Sequence, residues 1–136
     1  MLKRYPNKKV SLDLSDSTFT SIGEMAFSDC TNLASITIPN SVKSIGAWIF
    51  QNCTSFTSVT IPSGVTSIGM QAFSGCTNLI SVTFATGSDI SRIYDYVFPE
   101  GSTGNGGESL KTAYNAASLK EGTYTREANG DTWSKQ

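Results

Sequence analysis

The sequence predicts a solenoid: a short right-handed β/α superhelix of stacked coils, with a parallel sheet on one face, short helical turns and minor strands elsewhere, and a C-terminal cap. Three observations predict it. Matching residues recur at a fixed spacing of 23, the signature of a stacked repeat. Each repeat holds a stretch in which apolar and hydroxyl residues alternate, the period of a half-buried strand. The repeats also carry almost no charge: of 10 Lys and Arg and 11 Asp and Glu, only Glu24, Asp29 and Lys43 lie between Ser17 and Ser88.

The columns fix the repeat. Ile22, Ile45 and Ile68 each precede a glycine, Gly23, Gly46 and Gly69. Phe27, Phe50 and Phe73 keep the spacing, as do Cys30, Cys53 and Cys76, then Thr31, Thr54 and Thr77, then Leu33, Phe56 and Leu79. Ile36, Val59 and Val82 follow, then Ile38, Ile61 and Phe84. The pattern degrades at both ends. Leu12, Leu14, Phe19 and Ile22 match Ile36, Ile38, Val42 and Ile45 with one extra residue. Ile90, Ile93 and Phe98 match Val65, Ile68 and Phe73 after an insertion near Gly87, and Tyr94 replaces the glycine. About four coils result, with atypical terminal units, because an end coil has no neighbour over its apolar face.

These residues resemble the BspA-like, or Treponema-type, leucine-rich repeats. "IPSGVTSIG" followed by "AFSGCTNLISVTF" carries the resemblance over residues 12–98, and "YPNKKVSLDLSDSTFTSIGEMAF" and "LKTAYNAASLKEGTYTREANGDTWSKQ" resemble the first coil and C-terminal tail of that family. The fold expected is therefore a leucine-rich repeat solenoid. The resemblance implies a secreted or surface protein of a host-associated microbe. It also implies adhesion, with a host matrix or cell-surface protein as partner.

Each position within a coil has a physical reading. Ile36 and Ile38 alternate with Ser35 and Thr37, so one side of the strand is buried and the other open. The next coils place Ser58 and Thr60, then Ser81 and Thr83, beside them. Strands about 4.8 Å apart then form one parallel sheet with an open face of hydroxyls. Like charges stacked at that spacing would repel. Pro39 and Pro62 end the strand, since proline cannot donate to a ladder. Val42–Ile45 and Val65–Ile68 form a second short extended piece. Gly46 and Gly69 then allow a tight turn or close packing of coils. The stretch on to Cys53 or Cys76 is expected to be a short helical turn with Phe50 or Phe73 pointing inward. The Phe and Cys columns together make a structural core ladder of Phe27, Phe50, Phe73, Cys30, Cys53 and Cys76.

The cysteines have two readings. A metal site, redox pair or nucleophile needs CxxC spacing, a second ligand cluster or an activating base. None of these is present, so a buried column of inert thiols is the favoured reading. Trp48 also has two. Its counterparts are Met25 and Gln71, a tolerant outer position. Trp48 either anchors a partner or lies over the neighbouring coil.

Composition shifts at Pro99. The domain is read as a solenoid over 1–98, a Gly/Ser-rich loop over 99–109 and a helix-plus-hairpin cap over 110–136. "GNGG" lacks the GK[ST] of a phosphate loop. Leu110, Ala113, Tyr114 and Ala117 share one face of a short helix. Thr123–Arg126 and Thr132–Lys135 flank Asn129–Gly130, a hairpin signal. This segment covers the last coil, with Tyr124 and Trp133 packed on it.

The chain of 136 residues suits one domain. It has no His, which removes Ser-His and Cys-His catalysis and imidazole metal sites. With a net charge of −1, no nucleic-acid footprint is expected. No apolar run suits membrane insertion, and the start, MLKRYPNKK, lacks the apolar core of a signal peptide. No catalytic residue, cofactor or metal ligand set is predicted. The expected function is protein binding through one of two surfaces. One is the face of Ser35, Thr37, Ser58, Thr60, Ser81 and Thr83; the other is the neighbourhood of Trp48. A ligand-free spacer and a carbohydrate-binding face are the alternatives. A few coils give only about 20 Å of repeat, which is short for a spacer.

Overall fold

The computed structural model describes residues 8–94, 96–99, 106–116, 121–127 and 132–136. The elements are β1 (Val10–Asp13), β2 (Ser21–Ile22), β3 (Leu33–Thr37), β4 (Ser44–Ile45), β5 (Ser58–Ile61), β6 (Ser67–Ile68), β7 (Ser81–Phe84), β8 (Arg92–Ile93), α1 (Gly106–Ala116), β9 (Gly122–Thr125) and β10 (Ser134–Lys135). Each coil contributes one longer strand and one strand of two residues, so β1 to β8 make four coils. Three kinds of ladder join them.

The longer strands alternate as their sequence requires: in β5, Val59 and Ile61 are buried while Ser58 and Thr60 are exposed. β5 and β7 run parallel in the register of the repeat, Ser58 beside Ser81 and Thr60 beside Thr83. β1 pairs with β3 in the same sense, with a bulge between Val10 and Ser11. The expectation of one continuous sheet is corrected at a single step. β3 and β5 are not paired: one sheet is β1-β3, and the next runs β5-β7-β9-β10. Pro62 removes one hydrogen bond at this step, although Pro39 at the same repeat position leaves β1 paired with β3. Between the later coils the Ala85 N–H donates to the Ile61 carbonyl at 3.0 Å. One coil earlier that position is Pro62, which has no N–H to give Ile38.

The two-residue strands form an unbroken parallel sheet, β2-β4-β6-β8. Its rows are Ser21, Ser44, Ser67 and Arg92, then Ile22, Ile45, Ile68 and Ile93. The glycines beside it serve close packing. A Cβ on Gly46 would sit 2.7 Å from the Gly23 carbonyl carbon, and one on Gly69 would sit 2.5 Å from the Ala47 nitrogen. Where Tyr94 replaces this glycine the step widens. The Gly69 N–H reaches the Ile45 carbonyl at 2.8 Å, but the Tyr94 N–H reaches Ile68 at 3.3 Å.

The segment expected as a short helical turn closes instead as successive β-turns, and these form the third ladder. Gln51 donates to Trp48 and Cys53 to Phe50, both at 3.1 Å and three residues apart. No helix propagates, because the intervening N–H groups point to the next coil. Phe27 donates to Ile49, Phe50 to Ala72 and Phe73 to Val97, at 2.9, 2.8 and 2.7 Å. Two columns take the left-handed conformation that this path requires: Met25, Trp48, Gln71 and Tyr96 at φ 56, 52, 52 and 56°, and Asp29, Asn52 and Gly75 at 58, 58 and 73°. Asp29 and Asn52 suit it, since short polar side chains tolerate this region. The Asn52 Nδ2 donates to the Asp29 Oδ1 at 2.9 Å.

Inside the turns the phenylalanines stack. Phe27 and Phe50 are 5.5 Å apart with planes 6° from parallel; Phe50–Phe73 and Phe73–Phe98 continue at 5.2 and 5.5 Å. Cys53 and Cys76 are fully buried, and Cys30 nearly so. Phe27 is only partly buried, because among the described residues no further coil lies over its outer side.

The C-terminal segment caps the stack. β9 runs antiparallel to β7, Val82 beside Tyr124 and Thr83 beside Thr123, and β10 pairs antiparallel with β9. Tyr114, Tyr124 and Trp133 are buried against the last coil. The helix starts earlier than expected: Gly106 and Gly107, read as loop, are in its first turn. An N-terminal turn tolerates glycine better than a helix interior does, since its N–H groups have no intrahelical partner. Leu110 and Tyr114 face inward as predicted. Ala117 and the Asn129–Gly130 turn lie outside the described residues. Arg126, read only as a strand residue, is 94% buried, its exposure being 6%. Its Nε donates to the Leu79 carbonyl at 2.8 Å, and its guanidinium lies 5.3 Å from the Trp133 ring centre.

Candidate functional site

The hydroxyl face is built by the strand alternation. Because inward positions are Ile, Val and Phe, the outward positions of β3, β5 and β7 fall in two rows. One is Ser35, Ser58 and Ser81; the other is Thr37, Thr60 and Thr83. The neighbouring elements prolong both rows. Ser11 and Asp13 stand beside Ser35 and Thr37, and Thr125 and Thr123 stand beside Ser81 and Thr83. The cap therefore continues the surface rather than ending it.

The hydroxyls are not equivalent. At the first coil the Ser35 Oγ donates to the Ser11 Oγ at 2.9 Å. At the cap, Thr83 and Thr123 share a hydrogen bond of 2.9 Å. Asp13 is held below its ordinary carboxylate range chiefly by the Ser15 N–H, then by the Ser15 and Thr37 hydroxyls. In the centre, the exposed hydroxyls of Ser58 and Thr60 have no partner among the described residues. They stand at the break between β3 and β5. A cavity of about 320 Å³ opens there, with Ser15, Thr37, Asn40 and Thr60 on its walls and Ile38 and Pro62 among its apolar lining. That volume is within the usual range of ligand pockets, about 300–1,000 Å³.

Trp48 lies on another side of the coil. It is partly buried, and its Nε1 donates to the Gln71 Oε1 at 2.6 Å. The ring thus lies toward the next coil, with Met25 exposed at 58% and Tyr96 at 49% in the same column. The structure does not bring Trp48 together with the hydroxyl face. Sequence reasoning missed Tyr96, although the match of Phe98 to Phe73 already sets it opposite Gln71; the left-handed backbone identifies it.

The thiols are occupied. Cys53 donates to the Phe27 carbonyl at 3.1 Å and Cys76 to the Phe50 carbonyl at 3.0 Å. The adjoining Cys53 side chain, reinforced by burial, holds the Cys76 thiol above its ordinary value. The Cys76 side chain in turn holds the Cys53 thiol below its ordinary value. Its residue has no exposed surface, so a thiol reagent is expected to reach the column only after denaturation. Labelling of the native protein at the rate of a free thiol would contradict this. Among the described residues, no group of three or more Cys, Asp, Glu or His is placed to hold a metal ion.

A family model described as the BspA type leucine rich repeat region matches residues 6–120 in six copies. Among solved structures, the chain is similar to the crystal structure of a leucine rich cell surface protein from Faecalibacterium prausnitzii. Identity is 29% over 64% of this chain and 26% of that chain, with a TM-score of 0.49. The chain thus spans about a quarter of that protein's length. No curated protein matches it.

Proposed function

The chain belongs to the BspA-type leucine-rich repeat family, and from that premise we propose that it is a non-enzymatic protein-binding module of an adhesin-like surface or secreted protein. The partner is a host or microbial protein, and the contact surface is the hydroxyl face. One observation carries the choice of face: the central hydroxyls of Ser58 and Thr60 are exposed and unpaired, whereas those of Ser35 and Thr83 at the margins bond within the protein. Unpaired donors and acceptors on a rigid sheet exchange water for a partner's polar groups without first breaking an internal bond. Trp48 is the lesser surface, since its indole N–H is already engaged by Gln71.

Retention on immobilised host extracellular matrix proteins tests this. Thr60→Lys places a long charged chain in the centre of the face and is expected to lower retention at least tenfold. Trp48→Ala is expected to lower it less. Full retention by both variants would remove both surfaces. A neutral sugar in the cavity beside Thr37, Asn40 and Thr60 is the second reading, favoured by its hydroxyl and amide walls over an apolar floor. A glycan array separates the two readings.

A further inference from the structure

The step from β3 to β5 is held on two sides of the coil and open on the third. On one side Ser44 and Ile45 pair with Ser67 and Ile68. At the turns, the Trp48 and Phe50 N–H groups donate to the Met70 and Ala72 carbonyls at 3.1 and 2.8 Å. Between β3 and β5 no ladder forms. The Ile61 carbonyl accepts from Ala85 at the next step, which directs the matching Ile38 carbonyl across the seam toward Pro62. Pro62 has no N–H, and the Ile38 carbonyl has no hydrogen-bond partner among the described residues. Ile38 is only 6% exposed, and a carbonyl in such a place ordinarily has a donor.

Ile38 and Pro62 both line the cavity of about 320 Å³ at this seam. The coils are fixed one repeat apart on their other two sides, so the seam has no room for a further strand, and its occupant is a small group. Among the described residues none of the lining is charged, so nothing there would pair with a buried charge, and the occupant is neutral. The Ser15 and Thr37 hydroxyls donate to the Asp13 carboxylate beside them, which commits their hydrogens and leaves their oxygens as acceptors. With the Ile38 carbonyl, the wall therefore offers three acceptors and calls for donors. Asn40 and Thr60, both exposed, can donate or accept. Pro39, Pro62 and Ala85 make the lining apolar elsewhere. No aromatic ring is among the described lining residues, so the flat face of a sugar ring has nothing to stack on.

A neutral group that carries an N–H beside a methyl answers these demands together, and the acetamido group of an N-acetylated sugar is one. Its N–H suits the unpaired carbonyl, its methyl suits the proline lining, and the ring hydroxyls suit the Ser15 and Thr37 oxygens. A plain hexose leaves the apolar lining bare. A free amino sugar brings a cation with no carboxylate in the lining to meet it, and an acidic sugar brings a carboxylate toward Asp13. We propose that this cavity binds an N-acetylhexosamine unit of a glycan, with the acetamido N–H donating to the Ile38 carbonyl and the methyl against Pro39 and Pro62. The proposal rests on the sugar reading of this cavity and names the class of sugar.

The probes are N-acetylglucosamine and N-acetylgalactosamine, titrated into the isotopically labelled full chain and followed by amide and carbonyl NMR. Glucose, galactose and glucosamine are the comparisons. The expected result is a shift of the Ile38 carbonyl and of the Asn40 side-chain amide. Binding of the N-acetylated sugars is expected to be about tenfold tighter than that of the parent sugars, the worth of one hydrogen bond and a covered methyl. Pro62→Ala supplies the N–H that Ala85 supplies one coil later. It should satisfy the Ile38 carbonyl and cost the N-acetylated sugars about tenfold. Asn40→Ala should also weaken them, whereas Ser58→Ala, outside the cavity, should leave the titration unchanged. Equal binding of parent and N-acetylated sugars, or full binding by a folded Pro62→Ala protein, would overturn the proposal and leave the neutral-sugar reading standing. An undisturbed Ile38 and Asn40 with every sugar would overturn both.

Discussion

Within the coils, Phe50 meets Phe27 on one side and Phe73 on the other, each nearly face to face. At the cap, Phe84 meets Tyr114 tilted by 48° and Tyr124 edge-on at 86°. The coils join like to like: the same ring, thiol and serine at every step, parallel strands and almost no charge. The cap joins unlike groups: antiparallel strands, a helix, a buried Arg126 and three aromatic residues that the repeat does not contain. A stack of identical units can always add another. It stops only where its last face meets a surface that does not offer the same face again.

The strongest way to break this contrast is to remove the cap. Deleting residues 106–136 exposes the β7 edge and the Phe84 surface, and an exposed apolar edge invites association. The truncated chain is expected to aggregate or to lose cooperative unfolding by calorimetry. A monomer with an unchanged melting curve would show that the coils close themselves. Next in size is the like-to-like stack. Phe50→Ala should cost about 3–5 kcal/mol in a denaturant titration. Phe27→Ala, half covered, should cost about half as much. Equal costs would mean that the stack is not what holds the coils.

The unlike contact of the cap is tested by Arg126→Met, which keeps bulk but loses the bond to the Leu79 carbonyl. A loss of about 1.5–3 kcal/mol is expected. If stability rose instead, burial of the cation would outweigh its bonds. The smallest difference lies within the coils themselves. Gly69→Ala drives a methyl into the neighbouring backbone and should cost about 1–3 kcal/mol. Gly23→Ala, with nothing within 4 Å of the new methyl, should stay within about 0.5 kcal/mol.

The parts that the sequence made legible are those that recur. A residue seen three times at one spacing announces its neighbour, so the Phe, Cys and Ile columns and both strand sets could be read directly. The single events could not. Pro62 was legible as a strand end, but its effect on the step from β3 to β5 needs the register of the coil before it. The turns around Trp48 look helical from spacing alone, since Phe50 and Cys53 are three apart. Only the backbone shows that their donors serve the adjoining coil. Arg126 carries no pattern, because a lone cation between aromatic residues reads as surface until its carbonyl partners are in place. The hydroxyl face was legible as a composition. Which hydroxyls are unpaired was not, since that depends on Ser11 and Thr123 lying far away in sequence.

The turn ladder has a consequence for how such a chain changes over generations. Phe27 gives its N–H to Ile49 as Phe50 does to Ala72, so each coil presents the next with the same donor in the same place. A cassette of 23 residues can be duplicated or lost, and the severed bonds re-form between new neighbours with no other residue altered. Length is then free to drift, while identity is kept by the few residues that do not repeat: Trp48, Tyr94. Those are the letters in an otherwise uniform text, and each duplication copies or spares them as a unit.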